Sequence, residues 1–320
     1  MKSLNLKSVK DKFSDIVVRL LPDKLYLQMV YRRNMGQRLN LKNPVTFQEK
    51  IQWLKLYNRR PEYTRMVDKY AAKEYVESVI GADYIIPTLG VWNKAEDIDF
   101  DSLPDKFVLK TTHDSGGVVV CRDKSALDKS ATISMLRERL KHKIYYHNRE
   151  WPYKNVTPRI IAEQYMEDES GYELKDYKIF CFNGEPKFLK VDFNRYIKHR
   201  ANYYDTEWNL LPFYEKDYPN DAAHVIERPQ NFTDMLRLAK DISKGIPFVR
   251  IDLYNIRGKI FFGEITFFPA SGLGVFSPDQ WNVAIGQMID LEVFKGGGKW
   301  PGYEIIVWDI WSADRYLEAC

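Results

Sequence analysis

Two carboxylates near the C-terminal end of this chain stand where carboxylates are rare. Asp252 lies in Val249-Arg250-Ile251-Asp252-Leu253-Tyr254, and Glu264 lies in Ile260-Phe261-Phe262-Gly263-Glu264-Ile265-Thr266. Both runs are mostly apolar and read as strands joined by a tight turn over Asn255–Lys259. A buried carboxylate is costly unless a cation or a hydrogen-bond donor meets it. Two that face each other across a hairpin need a shared counter-charge. A hard divalent cation with oxygen ligands supplies one, and Mg²⁺ with phosphate is the usual case. Residues two apart share a strand face, so Arg250 projects with Asp252, and Glu264 with Thr266. The plainer reading is a buried Arg250–Asp252 salt bridge beside an unrelated glutamate. Gly263 and Pro269-Ala270-Ser271-Gly272 weigh against it, because a strand glycine can mark a ligand's close approach to the backbone.

Three further segments could carry chemistry. Lys110 ends an apolar run and is followed by Thr-Thr-His-Asp and then Ser115-Gly116-Gly117. Backbone N–H groups of such a loop can approach an anion while the lysine supplies charge. A plain Gly-Gly hairpin turn is the alternative, and no Gly-Lys-Ser/Thr follows to make a Walker A loop. Ile161-Ala162-Glu163-Gln164-Tyr165-Met166 could offer backbone groups to an adenine edge. Asp176-Tyr177-Lys178 opens a strand, either as a solvated face or with Lys178 on phosphate oxygens.

The elements that must position these groups are readable in outline. Leu6, Val9, Phe13, Ile16, Val17 and Leu20 recur at helical spacing, with lysines 7, 10 and 12 on other faces. That helix packs on the body of the protein, or lies on an anionic membrane. Thr46 and Glu49 form a capping box for a helix carrying Ile51, Trp53, Leu54 and Leu56. A helix follows over Val67–Val79, stopped by Gly81, and an extended segment begins at Tyr84–Pro87. Residues 107–122 read as a hairpin, 125–143 as a helix, and Pro158–Met166 as a short strand. Tyr177–Phe193 reads as two strands about Asn183-Gly184-Glu185, and Thr233–Ser243 as a helix. Lys295-Gly-Gly-Gly-Lys299 is a flexible break before a Trp-bearing tail with little periodicity.

Composition bounds the rest. The chain has 320 residues, 45% of them hydrophobic, enough for a large core in two or three units. A net charge of +4 does not suit a dedicated nucleic-acid binder. Three scattered cysteines, Cys121, Cys181 and Cys320, suit a reducing compartment. Lysines break the N-terminus before any signal-peptide core forms, and no run approaches a membrane span of roughly 20 apolar residues.

Taken together, these stretches resemble the ATP-grasp superfamily of carboxylate–amine ligases over about residues 67–292. Val67-Asp68-Lys69 is similar to that superfamily's Asp-Lys helix. More closely, the chain resembles the TupA-like branch, through PVTFQEKIQW from Pro44, FVLKTTHDSGG from Phe107, DYKIFCFNGEPK from Asp176, VRIDLY from Val249 and FGEITFFPASG from Phe262. The resemblance implies an α+β ATP-grasp fold, with two α+β subdomains gripping ATP behind a helical N-terminal extension. The expected division is 1–66 helical, 67–295 ATP-grasp, and 296–320 a tail of unassigned role.

The resemblance also implies roles. Lys69 and Lys110 contact ATP phosphates, and Ser115, Gly116 and Gly117 lie in the loop that covers them. Glu163, Gln164, Tyr165 and Met166 form the adenine hinge. Asp168, Glu169 and Glu173 are candidates for the ribose. Asp252 and Glu264 hold Mg²⁺, with Thr266 standing where the superfamily usually has asparagine. Arg250, Lys178 and Arg195 serve the reacting phosphoryl group and the acceptor. The implied cofactors are ATP and Mg²⁺. The implied partners are a small or polysaccharide-linked carboxylate and an amine, without nucleic acid. The branch is associated with teichuronopeptide and surface-polysaccharide synthesis, which implies a cytoplasmic protein at the inner face of the membrane. Two rivals stay open. One is a glycosyltransferase using the Asp-x-Asp within Glu96-Asp97-Ile98-Asp99-Phe100-Asp101; the other is a non-catalytic, membrane-associated scaffold.

Overall fold

The computed structural model describes residues 18–169, 174–193 and 199–292. Arg195, Glu173, most of the N-terminal amphipathic run and the tail from 296 lie outside these residues. The described chain opens with four helices: α1 Asp23–Met35, α2 Phe47–Tyr57, α3 Glu62–Val67 and α4 Ala71–Ile80. The capping box holds as read, since Thr46 Oγ1 accepts from Glu49 N at 3.2 Å and Glu49 Oε2 accepts from Thr46 N at 3.1 Å. The single helix expected over Val67–Val79 is broken instead. Asp68 leaves helical backbone at φ −71°, ψ 111°, and its Oδ1 accepts from the N–H groups of Tyr70 and Ala71. A short acidic side chain that satisfies orphan N–H groups favours a helix start over a helix interior.

The first sheet follows. β1 Thr88–Trp92, β2 Phe107–Thr111, β3 Val118–Cys121, the helices α5 Lys129–Arg139 and α6 Ile144–Asn148, and β4 Ile160–Gln164 come in that order. The strands pair antiparallel as β1-β4-β2-β3. Alternation in β2 buries Phe107 and Leu109 against Leu136, Ile160 and Ala162. The extended segment expected at Tyr84 begins at Thr88, because Ala82–Tyr84 close a 3₁₀ turn first.

The second sheet is larger. It is built from β5 Asp176–Phe182, β6 Glu185–Phe193, β7 Arg200–Asp205, the short β8 Tyr214–Glu215, α7 Phe232–Ser243, β9 Phe248–Ile256, β10 Lys259–Thr266, the short β11 Phe276–Ser277 and α8 Gln280–Gln287. Five strands pair antiparallel in the order β10-β9-β5-β6-β7, and β8 pairs with β11. Helix α7 closes one face of the sheet through Phe232, Met235, Leu238, Ala239 and Ile242, all buried. Their spacing is a helical apolar stripe, and the helix stands close to the expected Thr233–Ser243.

Both hairpin turns are two residues long and left-handed: Asn183–Gly184 at φ 52° and 82°, and Arg257–Gly258 at φ 51° and 81°. The turn expected over Asn255–Lys259 is therefore shorter, and β9 runs on to Ile256. Such turns match the twist of paired strands, so pairing continues up to them. Among the described residues, no helix is long and apolar enough to cross a membrane.

Candidate active site

The two sheets face each other across a cleft of about 390 Å³. β2, β3 and β4 line one side, and β5, β9 and β10 the other. Antiparallel register sets Glu264 opposite Asp252 and Thr266 opposite Arg250, so all four side chains share one face. Gly263 is the extra residue of a bulge between Phe262 and Glu264. A Cβ there would approach Asp252 O to 3.0 Å and the Tyr254 ring to 3.1 Å. The bulge thus re-aims Glu264 toward the cleft, as bulges beside functional residues commonly do.

The plainer reading of Asp252 is physically present. Arg250 Nε and Nη2 donate to its two oxygens at 2.7 Å each, and Nη2 also donates to Thr266 Oγ1 at 3.1 Å. Burial pushes the Asp252 carboxyl up, against the pull of Arg250 and Lys178. Burial works against the Arg250 cation, yet Asp252, with Glu264 and Glu215, outweighs it and raises the guanidinium above its ordinary value. Glu264 differs. It is half-buried in the cleft wall and has no hydrogen-bond or ion-pair partner among the described residues. Carboxylate and hydroxyl oxygens with one unengaged carboxylate fit a hard cation such as Mg²⁺. Full use of Asp252 requires Arg250 to release one of its oxygens.

Across the cleft stands a lysine wall. Glu163 Oε1 lies 2.5 Å from Lys73 Nζ, and Oε2 lies 2.6 Å from Lys110 Nζ. Burial would raise the Glu163 pKa, but Lys110 and Lys73 together hold it below the ordinary glutamate value. Lys73 also donates to Ile86 O at 2.7 Å. Expected as part of a hinge, Glu163 is by its side chain the counter-ion of two lysines. Lys69 Nζ donates to Asp114 O at 2.5 Å, inside the glycine loop. That loop is tightly built: Asp114 is buried, and its Oδ2 lies 2.8 Å from Arg139. Gly116 sits at φ 87°, and a Cβ on Gly117 would come within 1.9 Å of Thr111 Oγ1, so both positions require glycine. The Ser115 side chain is exposed.

Apolar groups complete the cleft. Val108, Val118, Val120, Met166, Leu174 and Phe262 line it, with Tyr165 beside them. Gln164 is exposed, and its N–H donates to Pro87 O at 3.0 Å. Of the ribose candidates, Asp168 is buried against Lys175 at 3.1 Å, whereas Glu169 is exposed. A concave apolar pocket with a few convergent charges is the usual form of a small-molecule site.

Comparison with known families decides the assignment. The sequence matches TupA-like ATP-grasp over residues 49–290. This chain belongs to the TupA-like ATP-grasp family. It is thereby an ATP-grasp ligase, of the carboxylate–amine class. Solved structures similar to it include D-alanine–D-alanine ligase from Bacillus anthracis complexed with ATP, at 16% identity and TM-score 0.42, covering 85% of each chain. The Helicobacter pylori D-alanine–D-alanine ligase is 14% identical, covers 78% of this chain and 70% of that one, and has TM-score 0.39. Phosphoribosylamine–glycine ligase from Thermotoga maritima is 12% identical, at 64% and 48% coverage and TM-score 0.39. No curated protein matches.

In this TupA-like chain the second sheet continues the charged face beyond β9. Lys178 Nζ lies 2.8 Å from Asp176 and 2.6 Å from Asp192. Lys190 follows, 2.6 Å from Glu215. The candidates Lys69, Lys110, Glu163, Tyr165, Met166, Lys178, Arg250, Asp252 and Glu264 all line one cleft. Sequence reasoning missed Lys73, Asp192 and Glu215. Lys73 had a signal, since it stands four residues after Lys69 in the run read as one helix, although Lys69 lies in the turn before α4. The rival Asp97, Asp99 and Asp101 are exposed on a surface turn outside the cleft, where Asp99 Oδ1 accepts from Asp101 N and Ser102 N.

Proposed function

We propose that this protein joins a carboxylate to an amine at the expense of ATP, in the assembly of a bacterial surface polysaccharide or teichuronopeptide. The observation that carries the reading is the Arg250, Asp252, Glu264 and Thr266 cluster facing the Lys73–Glu163–Lys110 wall across one cleft. ATP would lie with its base among Val108, Val120, Met166 and Phe262, and its phosphates toward Lys69, Lys110 and the Ser115–Gly117 loop. Of the described ribose candidates, Glu169 is the exposed one and would meet a ribose hydroxyl. Asp252, Glu264 and Thr266 would hold Mg²⁺, which neutralises phosphate charge when bound.

The chemistry has two steps. A substrate carboxylate oxygen attacks the γ-phosphorus, the bond to the β-phosphate oxygen breaks, and ADP leaves an acyl phosphate. An amine then attacks the acyl carbon, phosphate departs, and the amine loses a proton to leave an amide. Arg250 and Lys178 would steady the transferring charge, with Arg195 beside the acceptor. The protein's work is placement and charge neutralisation, so no side-chain nucleophile is required.

The partners on this reading are small molecules or polymer ends, with no nucleic acid. Work at the cytoplasmic face of the membrane would suit the exposed Leu20, Leu25 and Met29 beside Lys24, Arg32 and Arg33. The test is phosphate release from ATP across pairs of uronic acids and amino acids, with Asp252→Asn and Glu264→Gln as controls. Turnover that needs both partners and is lost in both variants is the expected result. Thermal protection by a sugar nucleotide alone, with none from Mg²⁺ and ATP, would sink the reading in favour of a glycosyltransferase.

A further inference from the structure

Helix α2 carries three polar side chains on one buried face, and all three end on the chain that follows β10. Gln48 Nε2 donates to Gly274 O at 2.6 Å. Gln52 Nε2 donates to Ser271 O and Gly272 O at 3.1 and 3.0 Å. Lys55 Nζ donates to Ser271 O at 2.8 Å, to Ser271 Oγ at 2.7 Å and to Asn148 O at 2.8 Å. The turn they grip is unusual backbone, because Ala270, Ser271 and Gly272 stand at φ 47°, 53° and 65°. Non-glycine residues seldom hold that region, and they do so where surrounding contacts enforce it. Gly272 lies so close beneath α2 that a Cβ there would meet Ile51 Cγ2 at 2.3 Å.

The turn starts a few residues past Thr266, so whatever fixes it fixes the end of the strand that carries Glu264. Lys55 is 1% exposed, and a buried ammonium is a poor choice where packing alone is wanted. Its neighbour Glu150 also touches Ser271 and feels the charge of Glu264. The Lys55–Ser271 contact is not a nucleophile with its base. All three ammonium N–H groups are engaged by acceptors, which leaves no lone pair to take a proton.

We propose that α2 is a positioning element of the active site: Gln52 and Lys55 clamp the turn Ala270–Gly272 and thereby hold Glu264 and Thr266 in place for the cation. This rests on the reading of Glu264 and Thr266 as cation-side residues. The test is ATP affinity of the full chain by calorimetry, once in EDTA and once in saturating Mg²⁺. Wild type should bind ATP more tightly with Mg²⁺. In Lys55→Met and Gln52→Met, affinity in EDTA should stay within about twofold. The gain from Mg²⁺ should shrink about tenfold or vanish, the scale at which partners behind metal ligands act. Ser271→Ala keeps the carbonyl acceptors and should lose less than Lys55→Met. Should Lys55→Met not fold, Gln52→Met is judged by the same measurement. An undiminished Mg²⁺ gain in a folded variant overturns the proposal. So does parallel weakening of both affinities, which a merely structural role would give. Wild type that gains nothing from Mg²⁺ overturns the site reading itself, and this proposal with it.

Discussion

The Lys73–Glu163–Lys110 triad makes a quantitative claim about Glu163→Gln. Glu163 is 5% exposed and meets two ammonium groups at 2.5 and 2.6 Å. The substitution keeps the shape but leaves two cations about one neutral amide. Breaking a buried ion pair from one side costs about 3–5 kcal/mol. The low end applies here, because the Lys110 side chain keeps 21% of its exposure and stays partly solvated. At an unfolding entropy of about 2.1 cal/mol/K per residue, a loss of about 3 kcal/mol lowers the melting temperature of a 320-residue chain by roughly 4–5 °C. The pH dependence has a definite sign. Glu163 has a folded pKa below its ordinary 4.5, so its contribution is full above pH 4.5. It is lost as pH falls through the lower folded value, and the gap between variant and wild type should close in that window. ATP should also protect the variant more than wild type, since two under-compensated lysines attract phosphate. Thermal melts at pH 7 and in the acid range, with and without ATP, measure all three. A variant that melts within about 2 °C of wild type at pH 7 would refute the triad as a buried network.

The two carboxylates of the hairpin should separate by stability. Asp252→Asn leaves Arg250 buried without its counter-charge and should lose about 3 kcal/mol in urea unfolding, whereas Glu264→Gln should stay within about 0.5 kcal/mol while abolishing Mg²⁺-dependent turnover. Equal destabilisation of the two would contradict the observed pairing. Thr266→Val removes the hydroxyl that accepts from Arg250 and should raise the Mg²⁺ concentration giving half-maximal turnover several-fold, with an unchanged requirement pointing to a purely structural hydroxyl. Gly117→Ala drives a Cβ against buried Thr111 and Asp114 and should raise the KM for ATP about tenfold or more, together with a lowered melting temperature; an unaltered KM in the folded variant would remove the loop from the phosphate site.

What was legible in the sequence was local. The Thr46–Glu49 box, the helix over Thr233–Ser243 and the Asn183–Gly184 turn each depend on neighbours within a few residues, and the structure keeps all three. The shared face of Arg250, Asp252, Glu264 and Thr266 was expected from strand period, but with the observed two-residue turn it depends on the Gly263 bulge, which shifts the register by one residue. Less legible were charges brought together from distant elements. Glu163 was read as hinge backbone because nothing near it in sequence announces Lys73, which arrives from a helix some ninety residues earlier. The break at Asp68 was missed for a different reason. Val67–Val79 is periodic enough for one helix, but an aspartate that satisfies its own following N–H groups outweighs that periodicity.

The hairpin was posed as a choice between a salt bridge and a metal site, and the geometry makes the two compatible. Of the four carboxylates that line the cleft, Glu163 is held by lysines, Asp176 by Lys178 and Asp252 by Arg250. Glu264 alone has no such partner among the described residues. Paired charges let the cleft bury ionised groups without leaving them uncompensated. The same pairs are exchangeable. A guanidinium or ammonium that turns to a phosphate oxygen leaves a carboxylate, which then needs a cation. An anion and a divalent cation entering together exchange partners with the pair and expose no lone charge, whereas either alone must leave one behind. An Arg-x-Asp pair on β9 next to an unpartnered glutamate on β10 is therefore what a site for a metal–polyphosphate complex requires before that complex arrives.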